Sequence, residues 1–369
     1  MSIDRLSTTE AVRVGNLEAE LPVESNDEIA ILARSFRAMH EELEENAALE
    51  KYVASLTMSL GGEEAVLAGR TPAGGTVGVS RDEPQVGTLF AARYEIHSVL
   101  GKGGMGIVYK AHDRELDDLV AIKTLRNEAL SADSSLLDRF KQEIRLARRI
   151  THPNVLRIHD LGGWNGLKFL SMEFVKGLTL KQVLESGEIL PTSVGLRIAK
   201  QVCAGLAAAH EAGVIHRDIK PQNIIIELTG GLKIMDFGIA RLTEDGGMTT
   251  TRTVIGTPDY MSPEQVRGLP LDFRSDIYST GVVLYEIFTG SLPFEGDSPL
   301  AVVLKHVNHA PPLPQSKNPW IDPKIATIIL KCMEKEAVAR FQSVPELYEA
   351  LARVTAGREG AGVRRKAVA

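Results

Sequence analysis

"LGKGGMGIVYKAHD", Leu100 to Asp113, places glycines at 101, 103 and 106 in the pattern G-x-G-x-x-G. Three glycines alone fit an ordinary turn, a dinucleotide-binding unit or a cover over a nucleotide's phosphates. The residues that follow separate the last two. A dinucleotide fingerprint runs into a helix whose N-terminus faces the pyrophosphate. Here Ile107, Val108, Tyr109, Lys110 and Ala111 follow, β-branched or aromatic with small and polar residues between them, which reads as a strand. The preceding "RYEIHSVL" also reads as a strand, so the loop joins two antiparallel strands. "LVAIKTL", Leu119 to Leu125, adds a third with a lone lysine, Lys123. In that order, backbone amides lie over the phosphates and one ammonium reaches them.

The chain has 369 residues, 44% of them apolar, enough for a real core and for two or three domains. A net charge of −6 argues against a nucleic-acid binder. Residues 1–50 hold 12 acids and 4 bases, so they carry −8 and the rest +2, which reads as an acidic helical surface. Cys203 and Cys332 sit in helix-like apolar stretches and read as reduced core thiols. No secretion signal and no stretch of about 18 apolar residues is present, so a cytoplasmic chain without a membrane span is expected.

Upstream, "DEIAILARSFRAMHEEL" (27–43) puts Ile29, Leu32, Phe36, Met39 and Leu43 at steps of three and four, a heptad seam. After a polar break near Asn46 the pattern resumes out of phase at Leu49, Val53, Leu56 and Leu60, and Gly61-Gly62 ends it. Helix, connector "GNLEAELPVES" and second helix over about residues 1–47 resemble a HAMP domain, a signalling module that usually forms a parallel dimeric four-helix bundle. The first helix matches poorly. The plain alternative is an amphipathic helix docked on its own protein. The organisation read from the chain is a HAMP-like helical segment (1–60), a flexible linker rich in Gly, Thr and Pro (61–88), one block carrying the chemistry (89–354) and a disordered tail (355–369).

Within the block a helix is expected from Ser131 to Ile150, with Phe140, Ile144 and Leu146 inward. Glu143 lies beside that stripe. Either Lys123 meets it, or it is a surface acid paired with Arg139 or Lys141. "HPNVLRIHDLGGWNGLKFLSMEF" gives two strands around Asn165-Gly166, a strong hairpin signal. The connector beyond Met172, Glu173 and Val175 suits a hinge between a small β lobe and a larger helical lobe, with a small-molecule cleft between them. A long helix, Thr192 to about Ala212, ends at Gly213. Then come "VIHRDIKPQNIII" and, 18 residues after Asp218, Asp236 in "KIMDFGIA". Asp218 is a carboxylate able to take a proton from a hydroxyl, and Lys220 adds a cation between base and phosphate. Asn223 and Asp236 offer hard oxygens that suit Mg²⁺. These are the parts phosphoryl transfer needs.

The pieces "GKGGMGIV", "VAIK", Glu143, "MEF", "HRDIKPQN", "DFG", "GTPDYMSPEQ", "SDIYSTGVVLYE" and Arg340 stand in one order over residues 94–354. In this the block resembles a Hanks-type protein kinase, most of all the bacterial Ser/Thr kinases. The resemblance implies an α+β bilobal fold: a small antiparallel β lobe with one key helix and a larger, mainly helical lobe. By position it implies that Gly101, Lys102, Gly103, Gly104 and Gly106 cover the phosphates of ATP. Leu100, Val108, Ala121 and Ile225 sandwich adenine, and Glu173 and Val175 offer hinge backbone groups. Lys123, oriented by Glu143, holds the α- and β-phosphates. Asp218 is the base, Lys220 steadies the γ-phosphate, and Asn223 and Asp236 hold Mg²⁺, with Mn²⁺ as the alternative. Glu264–Arg340 and Asp276 are scaffold. "DIKPQN" and Thr257 point to protein Ser/Thr hydroxyls as nucleophiles. Arg217 and the Thr-rich "LTEDGGMTTTRTVIGTP" point to activation by autophosphorylation in trans, at Thr249 and Thr251, with a homodimer through residues 1–60 bringing the chains together. A scaffold that binds nucleotide without transferring phosphate is the rival class, and intact Lys123, Asp218, Asn223 and Asp236 favour the enzyme. A dehydrogenase fails on the strand after Val108.

Overall fold

The computed structural model describes residues 28–62, 83–103, 106–125, 134–237, 258–354 and 364–365. The strand reading after the glycines holds. β1 (Leu89–Phe90), β2 (Tyr94–Gly103), β3 (Gly106–Asp113), β4 (Asp118–Leu125), β5 (Ile158–Trp164) and β6 (Leu167–Glu173) form one antiparallel sheet in the order β1-β2-β3-β4-β6-β5. Five of these strands match those expected, and β1 is added at the edge. Asn165 and Gly166, both at positive φ (47° and 82°), turn β5 back into β6, the backbone a two-residue hairpin of matching twist requires. Helix α2 (Ser134–Ala147) packs Ile144 under the sheet beside Leu125, Leu156 and Leu170.

The rest is mainly helical. Counting helices of eight residues or more, α3 (Thr192–Glu211), α4 (Phe273–Thr289), α5 (Pro299–Asn308), α6 (Pro323–Cys332) and α7 (Val344–Ala352) build the large lobe. α4 is buried on every face, as its run of apolar and small residues dictates. Gly213, at φ 77°, lets the chain leave α3. β7 (Gly177–Thr179), β9 (Ile224–Glu227) and β10 (Leu232–Ile234) form a small second sheet in the order β10-β9-β7. Cys203 and Cys332 are free and buried. Arg364 and Arg365, the described residues of the stretch 355–369, form a two-residue strand β11 (Arg364–Arg365) along β8 (Glu188–Ile189).

The N-terminal helix departs from the sequence reading. α1 (Glu28–Ser59) runs unbroken through Asn46, and its out-of-phase stripe is a seat on the large lobe. Leu49 and Val53 are fully buried in the large-lobe core, with Ala48, Tyr52 and Leu56 packed at its edge. Lys200 Nζ of α3 donates to both oxygens of Glu45, at 2.8 and 2.9 Å, and Arg197 Nη1 donates to Glu42 at 2.7 Å. The docked-helix alternative therefore describes the second half of α1. Met39 and Leu43 of the heptad seam remain exposed. No described helix is long and apolar enough to cross a membrane.

Candidate active site

The loop between α3 and β9 is built around a buried acid. Asp276 of α4 accepts from the backbone N–H of His216 and of Arg217, both at 2.8 Å, and from His210 Nε2 at 2.8 Å. Arg217 sits in left-handed backbone (φ 68°), a strain of about 1–3 kcal/mol that such surroundings must hold in place. Gln265 Nε2 clamps the Arg217 carbonyl at 2.6 Å. The loop so held presents Asp218. Lys220 Nζ lies 2.8 Å from Asp218 Oδ2, and Asn223 Nδ2 donates to the carbonyl and to Oδ2 of Asp218, at 2.8 and 2.9 Å.

β9 and β10 carry the chain from Asn223 to Asp236. The Met235 N–H donates to the Asn223 carbonyl at 2.8 Å, which closes the open end of the hairpin and ties the backbone beside Asp236 to Asn223. His216 braces the same point, its Nε2 2.7 Å from the Met235 carbonyl and its ring edge-on to Phe237. Asp236 is left-handed (φ 62°) and accepts from Lys123 Nζ at 2.7 Å. Asp218, Lys220, Asn223, Asp236 and Lys123 thus form one linked cluster. Its neutral amide and carboxylate oxygens, with two ammonium groups beside them, fit a hard divalent ion and a polyphosphate.

Lys123 does not pair with Glu143. Its ammonium is taken by Asp236, and Glu143 of α2 instead lies 3.5 Å from Arg217 Nη1. This corrects the expected orientation of the lysine. A carboxylate and an ammonium that share the small space between the lobes pair with their nearest opposite charge, and α2 places Glu143 nearer the arginine. Glu143 has a further partner besides.

Above the cluster, β2 and β3 pair Gly101 with Val108, Lys102 with Ile107 and Gly103 with Gly106. Gly104 lies outside the described residues, as do Thr249 and Thr251 of the segment after Asp236. Gly106 has φ 151°, and a Cβ there would lie 1.7 Å from the Thr124 carbonyl oxygen. No side chain fits. Gly106→Ala is expected to displace the loop and raise the KM for ATP several-fold, read from initial rates against ATP concentration. Ala121 is buried, with Leu100, Val108 and Val175 packed beside it, in an apolar group that also contains Met172 and Met235. Ile225 pairs with both Thr179 and Lys233 on the large-lobe side. The Glu173 side chain accepts from the Arg157 N–H at 2.7 Å and pairs with Lys233 at 3.2 Å. Behind Asp236 a small cavity is lined by Ala147, Val155, Leu156, Ile158, Leu170, Met172 and Phe237. Gln265, the bracing role of His216, and Met172 with Met235 were not assigned from sequence. All four lie inside quoted stretches, His216 in "HRDIKPQN", Gln265 in "GTPDYMSPEQ", Met172 in "MEF" and Met235 in "KIMDFGIA", but those stretches do not show what each side chain touches.

A protein kinase domain model matches residues 94–350, and a HAMP domain model matches residues 6–45. The chain belongs to the protein kinase family. Among curated relatives, serine/threonine-protein kinase pkn3 of Myxococcus xanthus is 42% identical over 266 residues, covering 69% of this chain and 48% of its own. Serine/threonine-protein kinase PknB of Mycobacterium leprae is 40% identical over 271 residues, 72% of this chain and 43% of its own. The kinase spans about two fifths of the length of the first relatives it matches. The crystal structure of the Mycobacterium tuberculosis PknI kinase domain superposes with a TM-score of 0.59 at 26% identity, over 73% of this chain and 98% of that one. The bilobal protein-kinase fold is shared, and ATP and a divalent metal are the family's cofactors.

Proposed function

We propose that this kinase transfers the γ-phosphoryl group of ATP to serine and threonine hydroxyls of proteins in bacterial signalling. The observation that carries the proposal is the linked cluster of Asp218, Lys220, Asn223, Asp236 and Lys123, with Asp218 held at the tip of a loop fixed by Asp276. Asp218 accepts the proton of the attacking hydroxyl, Lys220 stands beside it to meet the γ-phosphate, and Lys123 holds the α- and β-phosphates. Asn223 and Asp236 hold Mg²⁺ or Mn²⁺, which neutralises charge on the phosphates when bound. Gly101, Lys102, Gly103, Gly104 and Gly106 cover those phosphates. Leu100, Val108, Ala121 and Ile225 flank adenine, and Glu173 and Val175 meet its edge. The compartment is the cytoplasm, where two free buried thiols stay reduced.

We propose that the same site is regulated by phosphorylation and by pairing of two chains. A phosphate on Thr249 or Thr251 brings about −1.5 to −2 charges. It competes for Arg217 and frees Glu143 to turn to Lys123. Residues 1–60 pair two chains. The seam through Met39 and Leu43 and the docked stripe through Leu49, Val53 and Leu56 lie roughly a quarter of a turn apart around α1 at 3.6 residues per turn. One helix thus serves a partner and its own kinase domain together. The test is transfer of ³²P from ATP to a generic basic protein and to the chain itself, with phosphosite mapping against Asp218→Asn as control. Asp218-dependent phosphate on Thr249 and Thr251 is the expected result. A fully active chain with an unmodified segment ends the regulatory proposal, and no transfer with Mg²⁺ or Mn²⁺ ends the enzymatic one.

A further inference from the structure

Helix α1 touches more than the outside of the large lobe. The turn of the β9–β10 hairpin lies directly beneath it. A Cβ placed on Gly230 would lie 3.1 Å from the Asn46 carbonyl oxygen, 3.2 Å from Asn46 Oδ1 and 3.3 Å from the Glu50 nitrogen. Glycine at φ 80° is what lets the helix backbone come this close. Two neighbouring residues of α3 hold both partners: Lys200 grips Glu45 of α1, and Gln201 Nε2 donates to the Gly230 carbonyl at 3.1 Å. Asn154 Nδ2 ties Gln201 Oε1 to the Leu232 carbonyl at 3.0 and 2.8 Å.

The other end of that hairpin is the metal site. Asn223 directly precedes β9, Asp236 is the second residue after β10, and the Met235–Asn223 hydrogen bond locks the two ends together. Between turn and site, Ile224, Ile226, Leu232 and Ile234 are fully buried. A short two-stranded unit packed at that density moves as a body rather than bending. A shift imposed at Gly230 therefore reaches the two ligands, and octahedral Mg²⁺ tolerates little error in their placement.

We infer that Glu45, Asn46 and Leu49 are positioning residues for the metal–nucleotide site: α1 seats the turn of the hairpin whose far end carries Asn223 and Asp236. Whatever the HAMP-matching segment does to α1 is delivered to the metal ligands through this seat. The inference rests on the proposed use of Asn223 and Asp236, and its test is read from nucleotide binding rather than from turnover.

The experiment uses the full chain and a fluorescent ATP analogue titrated with MgCl₂, with phosphate transfer measured on the same samples. Glu45→Lys and Leu49→Asp are expected to speed amide exchange over residues 42–57. They should also raise the Mg²⁺ midpoint about threefold or more, as displaced ligands require. Adding Lys200→Glu to Glu45→Lys restores both, which also covers the case in which Leu49→Asp fails to fold. Lys331→Ala, which removes an exposed ion pair with Glu346 elsewhere on the large lobe, controls for general destabilisation. A midpoint within about twofold of the parent, despite fast exchange over 42–57, overturns the inference. So does an equal shift in Lys331→Ala. A chain that binds nucleotide with the expected midpoints but transfers nothing counts against the proposed reaction, not against this seat.

Discussion

Asp218→Asn is expected to slow phosphate transfer by about 10²- to 10⁴-fold, the usual contribution of a placed base, while leaving the fold and the KM for ATP close to the parent's. The substitution is nearly isosteric, and an amide oxygen still accepts from Asn223 Nδ2 and from Lys220, the partners Asp218 has now. What the amide does not do is take a proton from the substrate hydroxyl. The loss should appear in kcat, measured as ³²P incorporated into a basic protein at saturating ATP and Mg²⁺. A loss under about tenfold assigns the proton to another group.

Arg340→Ala is expected to destabilise the large lobe by about 3–5 kcal/mol, the cost of breaking a buried ion pair from one side. The Arg340 side chain is fully buried, and its fork donates to both oxygens of Glu264, at 2.7 and 2.8 Å. It also donates to the carbonyls of Glu334, Arg274 and Lys335. Removal leaves Glu264 accepting from the Ser275 hydroxyl at 2.7 Å and three carbonyls short of a donor. The Tm should fall by about 10 °C, followed by far-UV circular dichroism. Acid sensitivity gives a second signature. Burial pushes Glu264 up, but the Arg340 fork and the Ser275 hydroxyl hold it below the ordinary carboxylate range. The unfolded chain then binds the proton first, so this stabilisation is present above the ordinary carboxylate pKa and is lost as the pH falls. In Arg340→Ala burial prevails, and that acid-side loss of stability should shrink or disappear. Unchanged unfolding curves at neutral and acid pH would show that the pair contributes nothing.

How much of this was legible in the sequence depended on range. The strand after Gly106, the Asn165-Gly166 hairpin and the exit of α3 at Gly213 are local matters of backbone preference, and each fell where residue type put it. The Asp218 and Asp236 stretches stood out because they carry, at workable spacing, the residue types that the proposed base and hard ligands require. The pairing of charges was not. Lys123 had two acids within reach, and only the distance across the lobes decides for Asp236 over Glu143. The phase change after Asn46 announced a second apolar face on α1, yet nothing local distinguishes a partner helix from the flank of α3. The clamp by Gln265 was not legible for the same reason: it acts on Arg217 from 48 positions away.

The Lys123–Asp236 and Arg217–Glu143 contacts each join the small lobe to the large one with opposite charges. The cleft is therefore already close to electrically neutral before any nucleotide arrives. With Lys123 and Asp236 in the roles proposed above, a polyphosphate would take the place of the Asp236 carboxylate at Lys123 and leave that carboxylate to hold a cation. Loading would then be an exchange of counter-ions, in which neither lobe has to expose a bare charge along the way.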